Sequence, residues 1–536
     1  MVNKQNKHTE DTVRIRELEE KLVEKDAEIT RLRQKLERMN EILLNADRAR
    51  FGQSSEKKTY VLNDGSEQLQ LFDEAEAEQN VKAPEPTVDD VQVEVAAHRR
   101  AKKRTIDEKY EGLPVQQVIL TMPEDKLKCE QCGGKYVLIG KKVVRREMIL
   151  IPQQEYIVEY VTCTYACHDC EKKTGYANII ETVAPPPLMK HSLASPSTVA
   201  DIMTRKYVDG LPLARQEKVW KREGIELSRA TMANWVIKCS EDWLKPVYRR
   251  MKHHLIEDSC VIHADETVVQ VLKEPGKSAA SESRMWVYAT GERSGKQVRI
   301  FEYQPDRNGE RAARFLKGYD KCLVTDGYSG YNRVQGVTRC GCWAHMRRKW
   351  REAMPKGATT QTSQAAVGYE YCNKLFSMEK KFAELSDAER EKMRQMKAVP
   401  LLDAFWSWVE VLDVVSGSKL ADAVTYAKNQ KTSLMAFAEH GEVDISNNPA
   451  ENAIRPFVVG RKNWLFSDTV KGAVASSVVY SLVETAKANG VEPYAYLLRL
   501  LSIMPTLGKT PPNDELDKLM PWHPEMLASL KSKSNT

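Results

Sequence analysis

A multidomain α+β fold is what this sequence predicts, and three features carry the prediction. A heptad repeat opens the chain. Two cysteine knuckles follow among short strand patterns, with 34 residues between Cys132 and Cys167. Beyond residue 256, helical punctuation gives way to β-branched and aromatic runs. The 536 residues are enough for several domains and at least one large core. Charged residues make up 29% and hydrophobic residues 42%, the balance of a soluble globular chain. The net charge of +6 permits an anionic partner without requiring one. No apolar run approaches the roughly 20 residues of a membrane span, and the polar N-terminus carries no secretory signal. A cytoplasmic location is therefore expected. In that reducing setting the 11 cysteines read as thiols and metal ligands, not disulfides.

Residues 1–48 carry the repeat. Ile15, Leu22, Ile29, Leu36 and Leu43 fall seven apart, with Leu18, Lys25, Leu32 and Met39 on the other seam. This predicts a coiled coil and a homodimer formed through it; an amphipathic helix docked on its own chain is the other arrangement. Lys25 would weaken the seam and help set its register. Residues 49–112 read as an acidic linker with a basic end. Between Asp64 and Glu94 there are ten acidic residues and one basic residue, Lys82. Arg99, Arg100, Lys102 and Lys103 follow, a solvated tail or a phosphate-contacting segment.

Residues 113–184 form a small zinc-ribbon-like module in this reading. Cys129, Cys132, Cys167 and Cys170 offer four thiolates, which close a tetrahedral shell around one structural Zn²⁺ and leave no open position for catalysis. Cys163 and His168 are rival ligands. Pro185-Pro186-Pro187 is a stiff break. Residues 190–255 look helical, with Ser195-Pro196 and Ser228 as starts and Gly210 and Gly224 as breaks. Three short helices with tight turns fit a helix-turn-helix DNA-binding region and equally a plain helical bundle. Residues 256–353 should form a mixed α/β sheet, with strands at 259–265, 267–273, 284–290, 297–303 and 321–325 and a helix at 309–316. Residues 354–440 read as a helical insertion, 441–486 as a return to the sheet domain, and 487–536 as a C-terminal domain and tail.

Asp265 is expected at the end of the first of these strands and Asp326 at the end of the last. Carboxylates at neighbouring strand ends repel, so they need a cation, and oxygen ligands favour Mg²⁺ or Mn²⁺. Two such ions about 3.5–4 Å apart can activate a water or a 3′-hydroxyl and stabilise the leaving oxygen of a phosphodiester. Glu451 would sit in the first turn of a helix begun by Asn447-Asn448-Pro449, where a carboxylate suits the helix N-terminus. Glu266, Glu442 and Asp444 compete for the role of third acid. Arg461, Lys462 and Trp464 suit phosphate contact and base stacking, or a solvated helix with a core tryptophan. His345, Arg347 and Arg348 form a second basic-aromatic cluster, readable as phosphate contacts or as a packed helix.

These residues resemble one family. His263-Ala264-Asp265-Glu266-Thr267, Thr325-Asp326-Gly327-Tyr328-Ser329-Gly330-Tyr331, Cys342-Trp343-Ala344-His345 and Asn447-Asn448-Pro449-Ala450-Glu451-Asn452 are similar to motifs of the transposase of bacterial insertion-sequence family sixty-six. So are Gly460-Arg461-Lys462-Asn463-Trp464-Leu465-Phe466 and, near the N-terminus, Arg50-Phe51-Gly52-Gln53-Ser54-Ser55-Glu56-Lys57. The resemblance covers nearly the whole chain. It implies an RNase H-like catalytic core in which Asp265, Asp326 and Glu451 form a metal-binding triad. It also implies cleavage at element ends, 3′-hydroxyl strand transfer into target DNA, and accessory proteins encoded by the same element.

Overall fold

The computed structural model describes residues 178–531 apart from 356, residues 154–176 apart from 175, and scattered positions between 14 and 142. Cys129, Cys132, Arg99, Arg100, Lys102 and Lys103 lie outside the described residues, so the expectations placed on them do too. The described positions between 14 and 39 are helical.

The chain divides into two compact units, residues 53–184 and the remainder. In the first, β1 (Thr164–Cys167) pairs antiparallel with β2 (Asn178–Glu181), and α1 (His168–Thr174) joins them. Cys167 ends β1 and Cys170 lies in the first turn of α1. The second knuckle is thus a strand-to-helix corner.

From residue 185 onward the larger unit holds α2 (Pro196–Tyr207), α3 (Leu213–Arg222), α4 (Arg229–Cys239) and, after a π-helical turn, α5 (Lys245–Asp258). Ser195 and Ser228 cap α2 and α4 by accepting from the Thr198 and Thr231 amides. The sheet follows: β3 (Val261–Lys273), β4 (Glu282–Thr290), β5 (Arg299–Gln304), the crossover helix α6 (Gly309–Phe315), β6 (Cys322–Thr325) and β7 (Thr338–Gly341). Strand order is β5-β4-β3-β6-β7, antiparallel through β3, β4 and β5 and parallel through β3, β6 and β7. The two strands expected at 259–265 and 267–273 are one continuous strand. β4 pairs across the Asp265-Glu266 junction without interruption, from Ile262↔Thr290 to Gln270↔Glu282. β7 went unnoticed in the sequence because four residues, Thr338-Arg339-Cys340-Gly341, carry no apolar alternation.

Alternation along β3 and β6 divides two cores. Ile262 and Leu323 enter one; Val261, Cys322 and Val324 enter the other. The second core belongs to the helices after β7: α7 (Trp343–Ala353), α8 (Gln364–Phe382), α9 (Asp387–Met393), α10 (Val399–Glu410) and α11 (Lys419–Ala436). Trp343, Trp350, Phe405, Trp406 and Phe437 fill it. It also holds a buried charge cluster. Arg394 is fully buried and donates to Glu379 Oε1 at 2.9 Å and Oε2 at 2.7 Å. Its remaining donors reach the Phe437, His440 and Val443 carbonyls at 2.8, 2.7 and 2.9 Å. A guanidinium has five N–H groups and no acceptor, so this one residue can tie a whole loop to a neutralising carboxylate.

That loop leads to α12 (Asn448–Trp464), then to β8 (Ser467–Thr469) beside the far half of β3, and to α13 (Val470–Ala488). The chain finishes with α14 (Pro493–Leu507), α15 (Asn513–Lys518) and α16 (Pro524–Lys531), which share the first core with α2 to α5. α13 lies along β5, the edge strand, whose backbone would otherwise be unpaired on one side. Ser481 Oγ accepts from the Phe301 amide at 2.8 Å, and Thr485 Oγ1 accepts from the Arg299 amide at 2.9 Å. Two hydroxyls four apart on one helix face therefore satisfy two alternate strand amides. α5 and α15 are joined by Arg250, whose Nε and Nη2 donate to the two Asp517 oxygens at 2.6 and 2.7 Å.

Candidate active site

β3 and β6 pair in parallel as Val261↔Cys322, Ile262↔Leu323 and His263↔Val324. Continuing that register by two residues sets Asp265 beside Asp326. Asp265 lies within β3, not at its end as expected, while Asp326 directly follows the last residue of β6. The backbone around Asp326 is fastened by Arg339 of β7. Its Nη2 donates to the Asp326 carbonyl at 2.8 Å and its Nε to Thr325 Oγ1 at 3.2 Å. The Tyr328 amide donates to Asp326 Oδ1 at 2.9 Å. The next residue must be glycine because α11 comes so close: a Cβ on Gly327 would lie 2.5 Å from the Tyr426 ring.

Glu451 is in the first turn of α12. Asn447, just before that helix, holds it in place. Asn447 Nδ2 donates to the Ala264 carbonyl at 2.9 Å, its Oδ1 is 3.2 Å from His263 Nδ1, and its amide donates to Cys342 Sγ at 3.1 Å. The helix start is thereby tied to β3 one residue before Asp265, and to the residue preceding α7. Across from Glu451 stand two α7 residues. His345 Nδ1 is 3.6 Å from Glu451 Oε1, and Arg348 Nη2 is 3.8 Å from Oε2.

The rivals for the third acid are engaged elsewhere. Glu266 accepts from Arg307 Nε at 2.6 Å and from the Tyr331 hydroxyl at 2.7 Å. Asp444 lies 3.3 Å from His263 Nε2. Glu442 lies 3.4 Å from His440 Nδ1.

Electrostatics marks Asp265. Burial, then the negative charges of Glu266, Asp326 and Glu451, push its carboxyl up to about 8, against a hydrogen bond from the Glu266 amide. Burial draws His345 below its ordinary value, opposed by Glu451. Glu451 Oε1 and His345 Nδ1 are both buried and have no hydrogen-bond partner. A buried carboxylate held partly neutral by like charges, beside an unsatisfied carboxylate oxygen, is a donor set that a divalent cation fits. Cys342 is a poorer ligand: burial pushes its thiol up to about 11, and its sulfur already accepts the Asn447 amide.

The basic-aromatic residues separate. Arg348 stays near the acids, but Arg347 turns into α8, where its guanidinium lies over Tyr369 at 5.1 Å and Phe376 at 5.5 Å. Lys462 is exposed, and Arg461 Nη1 reaches Thr267 Oγ1 of β3 at 3.5 Å. Trp464 packs at the margin of the first core, and Lys206 Nζ covers its ring at 4.1 Å. Lys206 therefore covers one face of that ring. Sequence reasoning missed Arg339 and the roles of Asn447 and His263. Asn447 and His263 stood inside quoted motifs; Arg339 stood in a strand with no pattern to reveal it.

Comparison with known proteins follows this geometry. A family model described as Transposase IS66 family matches residues 191–475, one described as IS66 C-terminal element matches 481–522, and one described as Transposase C of IS166 homeodomain matches 38–118. Three proteins of Sinorhizobium fredii (strain NBRC 101917 / NGR234) are similar along most of their length, and all three are described as uncharacterized. Protein y4qI is 27% identical over 94% of this chain and 93% of its own. Protein y4hP is 26% identical over 84% of each. Protein y4jD is 27% identical over 79% of this chain and 83% of its own. No helix among the described residues is long and apolar enough to cross a membrane.

Proposed function

Because this chain belongs to the IS66 family of transposases, we propose that it cuts the ends of its element and joins them to target DNA. Asp265, Asp326 and Glu451 are the divalent-cation ligands in this reading. The observation that supports it is the Asp265 carboxyl, which burial and the charges of Glu266, Asp326 and Glu451 push up to about 8. When bound there, two Mg²⁺ or Mn²⁺ ions would supply Lewis-acid stabilisation of the leaving oxygen and activation of the attacking hydroxyl.

The chain's own residues do the remaining work. Asp265 and Asp326 present their carboxylates from paired strands. Glu451 closes the set from α12, with Asn447 fixing where that helix begins. His345 stands beside Glu451 at 3.6 Å, and Arg348, half-exposed beside the same carboxylate, meets the incoming phosphate. Lys462 and Arg461 extend the cationic surface along α12. Water attack frees the 3′-hydroxyl at each element end, and that hydroxyl then displaces a target-strand 3′-oxygen in line.

DNA ends are bound through the four-cysteine module at 113–184 and the helical region at 190–255. Two chains associate through the N-terminal repeat. The exposure of Leu18, Leu22 and Met39, at 54%, 62% and 58%, supports a seam that wants a partner.

The test is joining of labelled element ends into a plasmid by purified protein with Mg²⁺ or Mn²⁺. Joining should occur with wild type. It should fall by about 10³-fold or more in D265N, since cation ligation is worth several kcal/mol at the transition state. Undiminished joining in D265N overturns the triad. Cleavage without joining would mark a nuclease, and end binding without cleavage a regulator.

A further inference from the structure

A second cluster of ligand-type side chains lies away from the three acids. Cys322 Sγ, a His440 ring nitrogen and a Glu442 carboxylate oxygen all lie within 4.8 Å of one another. Glu442 Oε1 is 3.9 Å from Cys322 Sγ and 3.4 Å from His440 Nδ1. Ligands held about 2.0–2.3 Å from one tetrahedral centre stand roughly 3.3–3.8 Å apart, so these atoms need only small movements to share an ion. Cys340 of β7 enters the same core as Cys322, but its thiol donates to the Thr338 carbonyl at 3.8 Å and stands outside the cluster.

The ligands are also pre-organised. Cys322 is buried in β6, where parallel pairing with β3 and β7 fixes its backbone. His440 and Glu442 belong to the loop whose Phe437, His440 and Val443 carbonyls are all held by the buried Arg394. Both are only half-buried, which leaves an ion a path from solvent.

The geometry points to a Zn²⁺ site formed by Cys322, His440 and Glu442, with the fourth position left to water on the half-buried side. Thiolate and imidazole select a borderline-soft ion over Mg²⁺, so this site and the carboxylate site would sort different metals. Cys322 precedes Asp326 by four residues, about 13 Å of strand, so the two sites are separate. An ion here would clip the end of the helical insertion to β6, only a few residues before Asn447 and Glu451. The proposal does not depend on the reading of the three acids.

Full-length protein stripped with chelator and then dialysed against Zn²⁺ tests it by elemental analysis. Wild type should retain one more zinc per chain than H440A, E442Q or C322S, whatever the four-cysteine module binds, since that module is unchanged in all four. His440 and Glu442 are half-exposed, so their variants should fold even if C322S does not. Loading with Co²⁺ gives a second readout: the near-ultraviolet thiolate-to-cobalt absorption should be weaker in H440A than in wild type. Equal zinc content and equal cobalt spectra in wild type, H440A and E442Q, all folded by circular dichroism, would overturn the site.

Discussion

Asp265 and Asp326 reach the candidate site along paired strands, whereas Glu451 reaches it on a helix that begins beyond the whole insertion. The strand pair depends on backbone register, which the β3–β6 ladder sets within a few residues. The helix-borne acid depends on side chains that come from far apart in sequence. Asn447 bonds to Ala264 and Cys342, and the loop before it is held by Arg394 through three carbonyls. The difference teaches that the two aspartates should survive perturbations of the insertion, while Glu451 should not.

Substitution at Arg394 is the largest way to break this contrast. R394A leaves Glu379 buried with only Arg390 as a cationic partner, and frees the loop before α12. Loss of a buried ion-pair member costs about 3–5 kcal/mol, to be read from denaturant midpoints. A stability loss under about 1 kcal/mol would mean the loop is held otherwise.

N447A sharpens the comparison at the helix start itself. It should destabilise by about 1–3 kcal/mol, because the buried Ala264 carbonyl loses its donor. It should weaken Mn²⁺ binding or joining about 10–100-fold, the usual effect of removing a group that positions a ligand. R339K probes the strand side. It keeps the charge but loses the fork that spans Thr325 and Asp326, so joining should fall by about 10-fold while helix-side contacts persist. Equal sensitivity to N447A and R339K would erase the distinction between the two routes.

The smallest effect is expected far from the acids. Hydrogen bonds from Arg250, together with His254, hold the Asp517 carboxyl at about 2, below its ordinary 3.8. A depressed acid stabilises the fold above its unfolded value and loses that contribution as pH falls through its folded value. D517N should therefore lower stability by about 1 kcal/mol at neutral pH, solvent screening limiting the loss. The gap to wild type should close between about pH 4 and pH 2. A pH-independent gap would assign the loss to packing.

Much of the sheet was legible because its strands are β-branched and aromatic runs set between Gly, Ser, Pro or Lys breaks, and Ser195 and Ser228 announced their helices. Three details were not. The two strands read on either side of Asp265 are one, because β4 spans the junction and local carboxylates do not break a strand. β7 is too short to carry a period. Trp464 offered two readings, and the approach of Lys206 to its ring is a long-range contact the sequence does not show.

By itself, then, the sequence determined the family and nominated the acids within its motifs, since those reside in contiguous residues whose chemistry needs no partner to be recognised. Only tertiary structure decided what stands beside each carboxylate. Glu266, Asp444 and Glu442 are as near in sequence as the three proposed ligands, and they differ in what folding put beside them: Arg307 and Tyr331, His263, and His440. A carboxylate's role follows from its nearest charge and its burial, and both are set by contacts between residues far apart in the chain.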